Sequence, residues 1–213
     1  MIEARLDIWI PDGYMEMPLT EISERIDVAE SLLTTVGTPE VRALTRTILP
    51  TVELLFGQLS ARGTRYCGIG QHLSTEGNPV TSCLTVSVYE TGGDELNPRL
   101  VLADLVDSRT KSGELGDTLV RHVDDRPMLF SERITELPTP EIPGRPYTSD
   151  TTATYQLEAV VPADDGSALA IVELSTVDIS SGPEFRKMLV DMARSVSLQP
   201  SLNQVARPSS LDL

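Results

Sequence analysis

TATYQLEAVVPADDGSALAIVELSTVDISSGPEFRKMLVDMARSVSL, residues 152–198, is the stretch whose reading decides the fold. Tyr155, Leu157, Ala159 and Val161 alternate with mostly polar neighbours, the two-residue period of a half-buried strand. Ala163-Asp164-Asp165-Gly166 supplies a turn, and Leu169 to Leu174 returns as an apolar run broken only by Glu173. Ser181-Gly182-Pro183-Glu184 then combines a Ser N-cap, a proline in the first turn and a Glu three positions on, the signature of a capping box. Phe185, Met188, Leu189, Met192, Ala193 and Val196 follow at helical spacing. The stretch therefore predicts a hairpin followed by a helix over 181–198 whose apolar stripe faces a sheet.

Towards the N-terminus, Leu6, Ile8 and Ile10 alternate with Asp7 and Trp9, and Pro11-Asp12-Gly13 ends that strand, with Tyr14, Met15 and Met17 as a short continuation. Residues 20–36 read as a helix through Ile22, Ile26, Ala29, Leu33 and Val36, stopped by Gly37. Thr38-Pro39 opens a second helix, with Thr as cap and Pro in the first turn. Val41, Leu44, Ile48, Val52, Leu55 and Leu59 line it, and Pro50 in its interior predicts a kink or a split. Amphipathic stripes exist to be buried, so the pair over 20–62 is expected to serve the core; the other reading leaves a groove for a partner.

From residue 64 the pattern turns to strands, at 65–73 and 80–90, joined by a hairpin connection over 74–79. Gly68-Ile69-Gly70 lies inside the first of these, with no third glycine at dinucleotide-fingerprint spacing, and reads as a bulge or close backbone packing. Asn97-Pro98 starts a short helix to about residue 108, with a strand over 100–106 as the alternative, and a polar loop follows at 110–116. Strands at 118–123 and 127–134 flank Asp124-Asp125-Arg126. Residues 137–150 hold Pro138, Pro140, Pro143 and Pro146 and form an extended connection. The prediction is one domain over 1–198 and a disordered tail over 199–213.

The 213-residue chain carries a net charge of −15 and a pI of about 4.4, which argues against nucleic acid and anionic membranes and leaves a cationic partner open. Cys67 and Cys83, the two cysteines, sit in strand-like segments and read as small hydrophobes; with two distant histidines they lack metal-ligand spacing. No apolar run has the length of a membrane span, and the N-terminal residues lack a secretory or lipid-attachment pattern, so the expected location is cytoplasmic. Lys111 and Lys187 are the only lysines among many arginines, a bias associated with GC-rich coding.

His72 and His122 are fifty positions apart with no nucleophile arranged beside them. The Asp104/Asp107, Asp124/Asp125 and Asp164/Asp165 pairs do not form a calcium loop, and the last two fall in turns that favour Asp. No catalytic, cofactor or metal residues are assigned. Trp9, the sole tryptophan, is expected in the core of a sheet covered on both sides, and becomes a binding anchor if one face is open.

Ile8-Trp9-Ile10-Pro11-Asp12-Gly13-Tyr14 resembles the opening of PsbP-like proteins, in which a first strand runs into a glycine-aromatic pair. Tyr155 through Val196, with Val161-Pro162, Gly166 and Val172-Glu173-Leu174-Ser175-Thr176 before a terminal helix, is similar to the end of the actinobacterial LpqN-like branch. The resemblance covers the two ends of the chain. Tyr14 stands where the family has Trp, no lipoprotein signal is present, and the helical pair is longer than the family's. The resemblance implies an α/β (α+β) fold, an α/β/α sandwich around a mainly antiparallel sheet, and a binding or assembly factor instead of an enzyme. It transfers no functional residue.

Three functional readings follow from the sequence: a non-enzymatic protein-binding adaptor or assembly factor; a small-molecule binder or enzyme with a pocket between residues 20–62 and the sheet; and a homo-oligomer joined through an exposed sheet face.

Overall fold

Alternating β-branched and aromatic residues build one seven-stranded antiparallel sheet, and the computed structural model describes it through residues 4–92, 96–113, 116–139 and 149–199. The elements are β1 (Arg5–Asp7), β2 (Tyr14–Glu16), α1 (Ile22–Val36), α2 (Pro39–Ala61), β3 (Thr64–Leu73), β4 (Pro79–Glu90), α3 (Pro98–Ser112), β5 (Asp117–Val123), β6 (Arg126–Pro138), β7 (Thr151–Pro162), β8 (Ala168–Thr176), α4 (Arg186–Ser195) and β9 (Ser197–Gln199). The large sheet runs β2-β3-β4-β8-β7-β6-β5, and β1 pairs with β9 in a separate ribbon.

The two-residue period gives each side of the sheet its own cover. On one side Leu84, Val86, Leu157, Ala159, Val172 and Leu174 pack against Phe185, Leu189, Met192 and Ala193 of the α4 segment, with Leu6 and Leu198 of the ribbon at its margin. On the other side Leu129 and Val160 meet Leu102, Leu105 and Val106 of α3. The architecture is α+β, a sheet between helical layers.

The predicted hairpin over 152–174 is present as β7 and β8, with Gly166 at φ +69° in its turn and its N–H donated to the Ala163 carbonyl. The helix after it differs from the prediction. Gly182–Phe185 is a 3-10 turn, α4 ends at Ser195, and Ser197–Gln199 is a strand. Gln199 therefore belongs to the sheet structure and not to a tail. The capping box does not form, because its two side chains have stronger partners elsewhere. Ser181 Oγ donates to Asp178 Oδ2 at 3.1 Å, and the Glu184 carboxylate accepts from Thr75 N and Oγ1, both at 2.8 Å, pinning the β3–β4 connection.

Other boundaries moved for equally local reasons. The first strand is Arg5–Asp7 alone, since its partner β9 is three residues long. The segment after Asn97 is a helix and not a strand: Asn97 Oδ1 accepts from Arg99 N at 2.9 Å. It continues to Ser112, through the start of the expected polar loop, until Gly113 at φ +72° caps it. Thr38 caps α2 as expected, and α2 runs unbroken through Pro50, which is exposed so that water can take the carbonyl its missing N–H leaves free. Asp124 and Asp125 at φ 49° and 64° form the two-residue β5–β6 turn. The predicted connection over 137–150 begins inside β6, and its residues 140–148 lie outside the described residues, as does 200–213 of the predicted tail.

The largest departure concerns the helical pair. α1 packs on α2, and α2 reaches β3, but only Ile26, Thr45 and Phe56 of the two helices are buried. Val28, Leu32 and Val36 are 60%, 61% and 80% exposed, and Leu54 and Leu55 are exposed as well. The sequence period identified one stripe and placed it in the core; the hairpin carries more apolar surface than its own packing covers.

Candidate functional site

β5 ends the sheet on one side and β2 on the other. β2 is three residues long and lies between Pro11 and Pro18, which protects it against further pairing. β5 is seven residues, about 23 Å of strand, with no proline inside it, and its outer backbone groups face away from the sheet. Leu119 and Val120, which point to opposite faces, are 47% and 45% exposed.

Beside this edge, between β5, β6 and α4, runs a cleft of about 510 Å³. Leu119, Phe130, Leu157, Leu189 and Val190 make its walls apolar. Sheet register explains the arrangement: Leu119 stands opposite Phe130, and Asp117 opposite Glu132, on the face that α4 covers. α4 begins beside Glu132 and reaches Asp124 through Arg194 Nε at 2.9 Å, so it runs alongside β5 for the whole strand.

Charges sit at the cleft mouth. Arg186 donates to Glu132 through Nε at 2.7 Å and Nη2 at 2.6 Å, and that guanidinium holds the Glu132 carboxyl below the usual carboxylate range. Beneath them lies the Tyr155 hydroxyl, whose pKa is pushed up to about 12 by burial first and by the neighbouring Glu132 carboxylate second. Its oxygen is buried and lacks hydrogen-bond geometry to any described group. Arg121 lies further along the cleft.

The residues weighed from sequence are dispersed. His72 is on β3 and His122 on β5, with four strands between them in the order of the sheet, and on opposite faces. The His72 ring lies between those of Tyr14 and Phe185, tilted to the first and edge-on to the second, at 5.0 and 5.3 Å between ring centroids, and burial lowers its pKa. Gly70 makes room for it, since a Cβ there would come within 2.6 Å of His72 Nε2 and 2.8 Å of the Tyr14 ring. Close packing, the second reading of Gly68-Ile69-Gly70, is thus what the structure shows. Cys67 and Cys83 are free thiols on adjacent strands, and their mutual influence raises the Cys67 pKa and lowers that of Cys83. Among the described residues no three of His, Cys, Asp and Glu gather as metal ligands. Trp9 is 54% exposed and not in the core: β1 stops at Asp7, so the alternation that would have carried it inward ends before it.

Sequence reading missed a polar row on the α3 side. Thr85, Glu173, Glu158 and Ser131 are consecutive partners across β4, β8, β7 and β6. Arg109 of α3 forms a two-pronged ion pair with Glu158, tying helix to sheet, while burial and then Glu158 raise the Glu173 pKa. The sequence signal was present as Glu158 and Glu173 at strand positions whose neighbours are apolar; only the register brings them together. The cleft was missed for the same reason, because the expected pocket was sought against residues 20–62.

No protein-family model matches this sequence, and neither does any curated protein. No described helix is long and apolar enough to cross a membrane.

Proposed function

We propose that the chain is a non-enzymatic protein-binding module that takes an extended peptide segment along β5, as an eighth strand of the sheet. The observation that carries this reading is the coincidence of one long edge, unpaired among the described residues, with an apolar cleft directly beside it. Added strands gain affinity from main-chain hydrogen bonds and selectivity from pockets that receive alternate side chains. A segment paired with β5 would place every second side chain over Leu119, Phe130 and Leu189, and an acidic residue within reach of Arg121. The helix-sheet-helix layering supports, in addition, a kinship with PsbP-like binding factors, and the free thiols support a reducing, cytoplasmic location.

Selection of displayed random peptides on the purified protein tests this. Support consists of enriched sequences with apolar residues at alternate positions, whose affinity falls at least about tenfold on Leu119→Glu and on Val190→Glu, both checked by circular dichroism for an intact fold. Enriched peptides indifferent to both substitutions overturn the reading. A second reading moves the small-molecule alternative to the same cleft, whose volume lies within the range of ligand pockets. It predicts stabilisation by small amphiphiles in a thermal-shift screen, abolished by Leu119→Glu.

A further inference from the structure

We infer that the strand added to β5 is β5 of a second copy of this chain, paired antiparallel about Leu119 so that the two sheets run on into one another. The inference rests on the reading that this edge accepts a strand, and it names the strand. Asp124 and Asp125, both at positive φ, close a two-residue hairpin, which makes Val123 and Arg126 a hydrogen-bonded pair. Alternation from there sends the main-chain groups of Arg121, Leu119 and Asp117 inward to β6 and those of His122, Val120 and Thr118 outward. The helical layers leave the edge uncovered, since α4 packs on β7 and β8 and α3 on β6 and β7. An edge of this kind is a template for another chain.

Side chains select which chain. Asp117, Leu119 and Arg121 stand at alternate positions on one face of β5, and all three line the cleft. The Asp117 and Arg121 side chains are exposed and form no ion pair or hydrogen bond among the described residues, and about 13 Å of strand separates them. Glu132, opposite Asp117, is already held by Arg186. An antiparallel strand that answers this row reads, from its N-terminus, acidic, any, apolar, any, basic. β5 itself reads Asp117-Thr118-Leu119-Val120-Arg121, so it is its own complement.

With Leu119 on a two-fold axis, Leu119 meets Leu119, and Asp117 of each copy meets Arg121 of the other. On the reverse face Thr118 meets Val120. These are residues whose main-chain groups point outward, so hydrogen bonding and side-chain pairing demand the same register. Neighbouring registers lose this agreement. Centring on Thr118 sets Asp117 against Leu119, centring on Val120 sets Leu119 against Arg121, and centring on Arg121 opposes two guanidinium groups. The axis stands perpendicular to the sheet, so the two clefts adjoin on one face across the leucine pair.

Sedimentation equilibrium on the full chain tests this, with circular dichroism to confirm the fold of each variant. A dimer is expected at about 100 μM, and a monomer there overturns the inference. Arg121→Asp should weaken association at least about tenfold, because carboxylates then face each other twice, and adding Asp117→Arg to the same chain should restore it. Chains carrying Arg121→Asp alone and Asp117→Arg alone, each weakened by itself, should pair with one another when mixed. A dimer that ignores Arg121→Asp overturns the inference, as does a loss that neither the double variant nor mixing restores. The reading beneath it fails separately. A monomer that still selects alternating peptides through Leu119 overturns the second copy as occupant and leaves strand addition standing, whereas a monomer that selects none overturns both.

Discussion

Gly182 lies flat against the ring of Tyr155, so close that a Cβ at position 182 would stand 2.3 Å from the ring carbon Cδ1. The contact brings the 3-10 turn before α4 down onto β7, and with it the helix wall of the cleft. Tyr155 is itself held from above by the Glu132–Arg186 pair, so its ring has little room to yield. Gly182→Ala should therefore destabilise the fold by about 1–3 kcal/mol through overpacking. Urea denaturation measures it, and it should also displace Leu189 and weaken any peptide binding at β5.

A second glycine is held by backbone on the other side. Gly166 has φ +69°, and a Cβ would meet the Leu96 carbonyl oxygen at 2.0 Å, a contact that no rotamer relieves. Gly166→Ala should cost more than Gly77→Ala, whose φ is equally positive but whose surroundings are open, and the difference in denaturation midpoints isolates the clash from the backbone strain.

Leu174 is fully buried between the β4 and β7 strands and under α4. Truncation to Ala should remove about 2–5 kcal/mol, whereas Leu54→Ala, on the exposed hairpin, should change monomer stability by about 0.5 kcal/mol or less.

Two pH effects of opposite origin are expected. His72 has a lowered pKa because burial disfavours its charged form, so the unfolded chain takes up a proton that the folded chain resists. Stability should fall as pH drops below the unfolded value of about 6.5 and level off below the folded one, and His72→Phe should remove that slope. Glu132 has a lowered pKa because Arg186 favours its charged form, so its contribution is present above the ordinary carboxylate pKa and is lost as pH falls through the folded value. Solvent screens this pair, whose Arg186 side chain is 57% exposed, and its worth is about 1 kcal/mol or less. Glu132→Gln should lose that amount at pH 7 and progressively less as pH falls below the ordinary carboxylate pKa, read by denaturation across that range.

The thiols should separate kinetically. The neighbouring Cys67 thiol favours the Cys83 thiolate, so with the protein folded Cys83 should be alkylated by iodoacetamide before Cys67, which is buried and whose pKa is raised. Mass mapping of the modified peptides checks the order, and Cys67→Ala should slow Cys83.

The sequence made the sheet legible wherever one periodicity ruled. Tyr155 to Val161 and Phe185 to Ala193 were read on the side they occupy, because alternation and helical spacing both answer to burial against a single layer. It misled where a side chain had a choice of partner: Ser181 and Glu184 spell a capping box, yet Asp178 and Thr75 claim them. It misled again at Trp9 and at Leu33, Val36 and Leu55, where a regular pattern continued past the point at which anything remained to pack against. The cleft was illegible for a different reason. Leu119, Phe130 and Leu189 are unremarkable core types, and what they enclose depends on β5 falling at the end of the strand order, which no local pattern encodes.

The ribbon of β1 and β9 sets Arg5 opposite Gln199 and Asp7 opposite Ser197. On the ribosome the first strand of this domain therefore waits for the last, and almost two hundred residues must emerge before Leu6 gains its cover from Leu198. Until then the sheet can form but its margin stays open, so closing the ribbon should be a late step of folding, and removal of residues 197–199 should leave a sheet that assembles and a core that leaks. Hydrogen exchange of such a truncated chain should show early protection at β7 and β8 and lost protection at β1 and the end of α4.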